Sequence, residues 1–102
     1  MKRKLSITVH SGLKKLGADL KKARLRRGLK MSVVADQAGI SRETLAKIQK
    51  GDSGVSIGNY ASVIFAIGLG VDWTNLADTE KDIIGRMLDE ERIPLRARDK
   101  KI

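Results

Sequence analysis

Four charged side chains in one short segment carry the most informative chemistry of this sequence. Arg42, Glu43, Lys47 and Lys50 are spaced so that they lie on one side of a helix. A guanidinium can donate two parallel hydrogen bonds to O6 and N7 of guanine, and a carboxylate can accept one from the amino group of cytosine. These side chains can therefore contact base edges of DNA if the helix that carries them enters the major groove, with Arg42 as the best-suited donor.

The surrounding segment, residues 31–50, has the pattern of two short helices joined by a tight turn. Gly39 stands at the corner, where glycine adopts a left-handed backbone conformation without steric cost. Ala35, one turn earlier, leaves room for the second helix to approach. The positions that would clamp both helices onto a core are apolar: Val34, Ala38, Ile40, Leu45 and Ile48. The charged side chains are left to face outward.

Two stretches, LGADLKKARLRRGL at residues 16–29 and AGISRETLAKIQKGD at residues 38–52, resemble the Xre/Cro-type helix-turn-helix family of bacterial and phage repressors. The resemblance covers residues 13–70 and implies an all-α, lambda-repressor-like DNA-binding domain of five helices. It implies base contacts by Arg42, Glu43 and Lys47. It also implies phosphate contacts by a second set of side chains: Ser41, Thr44, Lys50, Arg24 and Arg27.

Three positions depart from the family pattern. Met31 stands where many members have a hydrogen-bond donor that touches phosphate, and a thioether cannot donate. Lys30 replaces the usual threonine cap, so either Ser32 caps a shorter second helix or the helix end relies on water. Gln49 stands where the family often has a glutamate paired with an arginine of the first helix, here Arg24. We therefore expect a neutral hydrogen bond in place of an ion pair, leaving Arg24 freer to reach phosphate.

The positive charge is concentrated in the first third of the chain. The sequence has 21 Lys and Arg against 12 Asp and Glu, a formal net charge of +9, and residues 1–30 hold 11 of the basic residues and one of the acids. A basic first helix and arm would lie against phosphates if the recognition helix enters the major groove, with strong salt dependence of binding. Lysine-rich helices are also commonly plain solvated faces, so the charge alone leaves both interpretations open.

Other classes of function find little support in the composition. There is no cysteine, and the one histidine, His10, has no acid or nucleophile near it in sequence. We therefore expect no enzyme activity, no cofactor and no metal. The amino terminus lacks the apolar run of a signal peptide, and the longest apolar stretch, residues 60–71, is too short to span a membrane. We expect a soluble cytoplasmic protein, associated with the nucleoid through DNA.

The pattern along the chain predicts three regions. Residues 1–12 form a basic arm, in which the alternation of residues 5–9 predicts a short strand that pairs across a dimer or stays mobile. Residues 13–70 form the DNA-binding domain, with Ser11 capping the first helix and Gly28 ending it, and with Ser41 and Ser56 capping later helices. Residues 57–69 predict a buried helix. Residues 71–102 form a helical extension with a basic tail, in which Pro94 stops the helix of residues 82–92.

A single recognition helix gives little contact area, so we expect a homodimer that reads palindromic half-sites of an operator. The extension carries an apolar stripe that suits a dimer or partner interface, or packs on its own core: Trp73, Leu76, Ile83, Ile84, Met87 and Leu88.

The last part of the chain is similar to HipB-type regulators, which implies an autorepressing antitoxin that also binds a HipA-like kinase toxin. The alternatives are a stand-alone phage-type or metabolic repressor and an adaptor that binds only protein.

Overall fold

All regular structure in the described part of the chain is helical. The computed structural model describes the backbone of residues 4–99 and the side chains of residues 4–92. It contains five α-helices and a short 3-10 helix between the last two. Their bounds are α1 Ile7–Arg26, α2 Met31–Ala38, α3 Arg42–Gln49, α4 Ile57–Ile67, the 3-10 helix Asp72–Asn75, and α5 Ile83–Asp99. The predicted all-α class is confirmed. Within these residues no helix is long and apolar enough to cross a membrane.

The predicted amino-terminal strand is wrong, because α1 already begins at Ile7. The hydroxyl of Ser6 accepts a hydrogen bond from the backbone N–H of Val9 at 3.2 Å, so Ser6 is the cap and Ser11 lies inside the helix. Alternating apolar residues favour a strand only when a neighbouring strand pairs with them, and a helix satisfies its own backbone groups. The part of the predicted arm at residues 1–3 lies outside the described residues.

Helices α1–α4 enclose one small hydrophobic core, which belongs to the first of two compact units, divided after Val71. Its largest fully buried side chains are Leu45, Ile48, Val34 and Val63. Ala38 and Ile40 are half-buried and pack against this core. The prediction that apolar side chains pack both short helices onto the core is therefore confirmed. Burial of these side chains is the main force that holds α2 and α3 against the rest of the first unit.

Helix α4 is only partly buried, which corrects the prediction for residues 57–69. Tyr60, Val63 and Ile67 face the core at helical spacing, whereas Ile57 is 78% and Phe65 67% exposed. An apolar composition does not show how many sides of a helix its neighbours cover. Ser56 caps the helix as predicted, with its hydroxyl accepting from the N–H of Asn59 at 3.1 Å.

The backbones of α1 and of the turn after α3 come into direct contact. A methyl group added to Gly17 would lie 2.7 Å from the backbone nitrogen of Gly51 and 2.8 Å from the carbonyl oxygen of Gln49, and would also meet the carbonyl oxygen of Ile48. Gly51 has a φ of 75°, and a methyl group there would lie 2.5 Å from the carbonyl oxygen of Leu13. Only glycine fits at both positions. This contact sets the position of α3 against α1.

The second unit, residues 72–102, holds the 3-10 helix and α5. The carboxylate of Asp82 accepts a hydrogen bond from the N–H of Gly85 at 2.9 Å, so α5 begins where the sequence predicts. The predicted stop at Pro94 is wrong, because α5 continues to Asp99. Proline removes one backbone hydrogen bond and bends a helix, but the turns on either side can keep helical geometry.

Candidate nucleic-acid interface

The turn between α2 and α3 has the tight geometry that the sequence predicts. Gly39 has a φ of 71° and a ψ of 32°, and the N–H of Ile40 donates to the carbonyl of Ala35 at 3.0 Å. Ser41 then caps α3, accepting from the N–H of Thr44 at 3.0 Å. Ala35 is buried, so a larger side chain there would push the helices apart. The two helices are held at one fixed angle by local hydrogen bonds and by core packing together.

Helix α3 has one fully buried side and one open side. Leu45 and Ile48 are fully buried. The side chains of Arg42, Glu43 and Lys47 are exposed, and among the described residues they have no hydrogen-bond or ion-pair partner. An unpaired guanidinium, carboxylate and ammonium on a rigid helix can all bond to an external ligand without first breaking an internal contact.

The two hydroxyl groups at the start of α3 are used differently. Ser41 accepts from the Thr44 N–H and donates to the Thr44 hydroxyl oxygen at 3.0 Å, so its hydrogen is already engaged within the cap. The hydrogen of the half-buried Thr44 hydroxyl is left for another acceptor. Thr44 is therefore better suited than Ser41 to donate to a phosphate oxygen.

Arg24 lies inside the first unit rather than on its surface. It is only 7% exposed, its Nε donates to the side-chain oxygen of Gln49 at 2.8 Å, and a terminal nitrogen donates to the carbonyl of Leu29 at 2.8 Å. The expected neutral bond between Arg24 and Gln49 is present. The burial argues against the phosphate contact expected of Arg24, because the guanidinium would have to leave two partners. Arg27 is exposed, and one of its nitrogens donates to the carbonyl of Ala23 at 3.1 Å.

The start of α2 has no side-chain cap. The helix begins at Met31, Lys30 makes no capping hydrogen bond, and Ser32 lies inside the helix rather than before it. The expectation that Ser32 caps a shorter helix is therefore wrong. The sulfur of Met31 instead lies 4.0 Å from the side-chain nitrogen of Gln49, which adds α2 to the contact between α1 and α3. The residue type of Met31 gave no indication of this packing role.

Part of the charge on α1 forms a solvated face. Lys15 and Asp19 form an exposed ion pair of 2.7 Å. This hydrogen bond lowers the pKa of Asp19, helped by the nearby positive charges of Lys22 and Arg26, and it raises the pKa of Lys15. Helical spacing puts these four side chains on the side of α1 opposite Gly17, and therefore away from α3. Exposed pairs of this kind contribute little to stability.

The apolar stripe of the second unit is exposed. No side chain among residues 72–92 is buried, and Leu76 and Ile84 are 84% and 73% exposed. Ile83 and Met87 are also largely open to solvent, and Trp73 and Leu88 are 38% and 43% exposed. Among the described side chains of its own unit, the stripe therefore has no core on which to pack. Several exposed apolar side chains within one short segment are typical of a protein–protein contact.

Gly17 and Gly51 are the positioning residues that the sequence analysis did not single out. The available signal was Gly17 itself, because an isolated glycine inside a helical pattern often marks a close approach of two backbones. The approach joins residues far apart in sequence, so its partner could not be named from the pattern alone.

Comparison with known proteins agrees with this geometry. A family model described as helix-turn-helix matches residues 20–73, which is more than half of the 102-residue chain. The matched region includes the whole α2–turn–α3 unit and the core that holds it. No curated protein and no solved structure matches the chain. The chain therefore belongs to the helix-turn-helix family of DNA-binding transcription regulators.

Proposed function

We propose that this protein is a sequence-specific repressor that inserts α3 into the major groove of its operator. The observation that carries the proposal is the two-sidedness of α3, with Leu45 and Ile48 fully buried and Arg42 exposed and unpaired. A helix held rigidly by its apolar side presents its polar side chains at a fixed height and angle, as base readout requires. The basic first unit supplies attraction to phosphates.

Arg42, Glu43 and Lys47 are the proposed base contacts. Arg42 is suited to O6 and N7 of guanine, and Glu43 either accepts from a cytosine amino group or orients its neighbours. Lys50 and Thr44 are the proposed phosphate contacts, with Arg27 and Ser41 in lesser roles because part of their hydrogen-bonding capacity is used internally. Arg24 is left out of this set because it is buried.

The proposed assembly is a homodimer on a palindromic operator. A single α3 covers too few base pairs for tight specific binding, and helix-turn-helix proteins usually solve this by pairing two half-sites about one helical turn apart. The exposed stripe that includes Ile84 and Met87 supports the second unit as the dimer contact. Burying such side chains between two copies would remove apolar surface from water.

An autorepressing antitoxin is the more specific proposal for the biological role. It rests on the similarity of the carboxyl-terminal segment to HipB-type regulators and implies a HipA-like kinase toxin as a second partner. Co-purification with a kinase encoded beside this protein supports the antitoxin. A protein that purifies alone and still binds its operator is instead a stand-alone repressor, acting in the cytoplasm at the nucleoid.

Substitution of Arg42 tests the proposed repressor. The operator duplex is recovered from a random-sequence pool by repeated binding and amplification, and Kd is measured by fluorescence anisotropy. Arg42→Ala should weaken operator binding by about 1–3 kcal/mol, or about 5- to 150-fold, and relax the preference at one base position. Saturating titrations should give two chains per duplex.

Lys22→Ala is the matched control for Arg42→Ala. It also removes one exposed positive charge from the first unit, but from the side of α1 that faces away from α3. It should leave the base preference unchanged. If Arg42→Ala binds the operator as tightly as the control variant does, with the same base preference, then α3 does not read the sequence as proposed.

A further inference from the structure

A surface cavity of about 370 Å³ lies where the amino-terminal end of α1 meets the turn after α3. One wall is formed by Lys4, Leu5 and His10, and the other by residues 50–53. The backbone contact between Gly17 and Gly51 keeps these two walls together. The cavity therefore joins the first described residues of the chain to the exit of the recognition helix, although more than 40 residues separate them in sequence.

The side chains around this cavity suit an anion. Lys4 and Lys50 bring two ammonium groups, both exposed, and among the described residues neither has an ion-pair partner. His10 adds an imidazole N–H, and Ser53 adds a hydroxyl group. Donors from two separate elements thus converge on one space.

The one carboxylate in the lining leaves the cavity with a net positive charge, because two lysines stand against one aspartate. Asp52 is turned toward its own loop, where its side-chain oxygen accepts a hydrogen bond from the N–H of Gly54 at 2.6 Å. The carbonyl of the same residue accepts from the hydroxyl of Tyr60 at 2.8 Å. The Asp52 side chain is therefore part of the turn, and the loop that carries Lys50 and Ser53 is tied to the core through Tyr60.

We propose that this cavity binds a phosphate of the DNA backbone beside the half-site, with Lys4 and Lys50 donating to its oxygens from opposite walls. The inference rests on the proposed function, because α3 in the major groove brings its carboxyl-terminal exit to the phosphates that border the groove. Lys47, one turn before the cavity, lies on the open side of α3. Lys4 and His10 thus extend the DNA contact beyond the helix-turn-helix unit, to residues outside the matched region 20–73.

Salt dependence of binding by Lys4→Gln tests this contact, with Lys22→Gln as the matched control. Each neutralised phosphate adds about 0.9 to the slope of log Kd against log salt concentration. Because the proposed dimer carries two such cavities, Lys4→Gln should lower the slope by about 1.8, so that wild type loses about 12-fold more affinity than the variant between 50 and 200 mM salt. The ratio of operator to scrambled-duplex affinity should stay unchanged, because a phosphate contact carries no base information. Lys22→Gln should keep the wild-type slope.

A Lys4→Gln slope equal to that of wild type, or a changed operator-to-scrambled ratio, would overturn the inference. Failure of the proposed function has a different signature, since wild type would then bind both duplexes equally. In that case the slope comparison still measures the phosphate contact on either duplex. Lys4 is exposed and outside the core, so both variants should fold as wild type does.

Discussion

The contact between α1 and the exit of α3 predicts opposite effects for one substitution made at two places in the same helix. Gly12 and Gly17 both lie within α1. A methyl group on Gly12 meets nothing within 4 Å, whereas one on Gly17 meets three backbone atoms of the α3 exit, two of them at 2.7 and 2.8 Å. Backbone atoms held by two packed helices cannot move aside as the end of a flexible side chain can.

The magnitude follows from two terms. Replacing glycine by alanine inside a helix raises stability by about 0.5–1 kcal/mol, and this term is shared by both variants. Overpacking costs about 1–3 kcal/mol and more where the neighbours cannot yield, and this term applies to Gly17→Ala alone. Gly12→Ala should therefore be slightly more stable than wild type. Gly17→Ala should be less stable than Gly12→Ala by about 3 kcal/mol, the upper end of that range.

Urea denaturation followed by far-ultraviolet circular dichroism measures both free energies of unfolding. Since the propensity term cancels between the two variants, their difference reports the steric cost alone. Gly17→Ala should also bind the operator duplex more weakly than Gly12→Ala under conditions where both are folded, because the exit of α3 has to move. If the two variants are equally stable, the close approach of α1 and α3 does not exist as described.

Two further substitutions test contacts around the same region. Gln49→Glu should raise the free energy of unfolding by about 1 kcal/mol at pH 7, because the buried Arg24 guanidinium gains a charge-assisted hydrogen bond in place of a neutral one at 2.8 Å; unchanged or lower stability in urea would contradict this. Burial raises the pKa of Tyr60 above its ordinary value. The neutral Tyr60 hydroxyl therefore contributes its full stability below the unfolded-state pKa, and this stability is lost as pH rises through the folded-state pKa. Tyr60→Phe should lower the free energy of unfolding by about 0.5–1.5 kcal/mol at pH 7. Above pH ~10 the stability of the variant should fall less steeply than that of wild type, because it has no hydroxyl to ionise. An equally steep alkaline loss of stability in both proteins would refute this role of the Tyr60 hydroxyl.

Features with a local cause could be predicted from the sequence. Gly39, Ser41 and Ser56 act through hydrogen bonds and backbone angles within four residues, so their roles follow from residue type and position. Leu45 and Ile48 follow from helical periodicity together with the turn before them, because that turn brings the apolar side of α3 back against α2 and the core. The helix-turn-helix and its core therefore follow from residue type and spacing.

Features that depend on distant partners could not be predicted in the same way. Residues 5–9 alternate as a strand does, but no neighbouring strand is present in the described structure, and residues 7–9 begin α1 instead. The bond between Arg24 and Gln49 was predicted, but the burial of Arg24 depends on how three helices meet. The cavity beside Lys50 depends on Gly17 and Gly51 approaching closely, which no local pattern encodes.

Operator preference of the wild-type protein shows whether α3 reads a DNA sequence. Fluorescence anisotropy compares the operator duplex with a scrambled duplex of the same composition, each at two salt concentrations. The operator should bind at least about 10³-fold tighter at physiological salt, with affinity for both duplexes falling as salt rises. Equal affinity for the two duplexes at both salt concentrations would contradict sequence-specific recognition by α3.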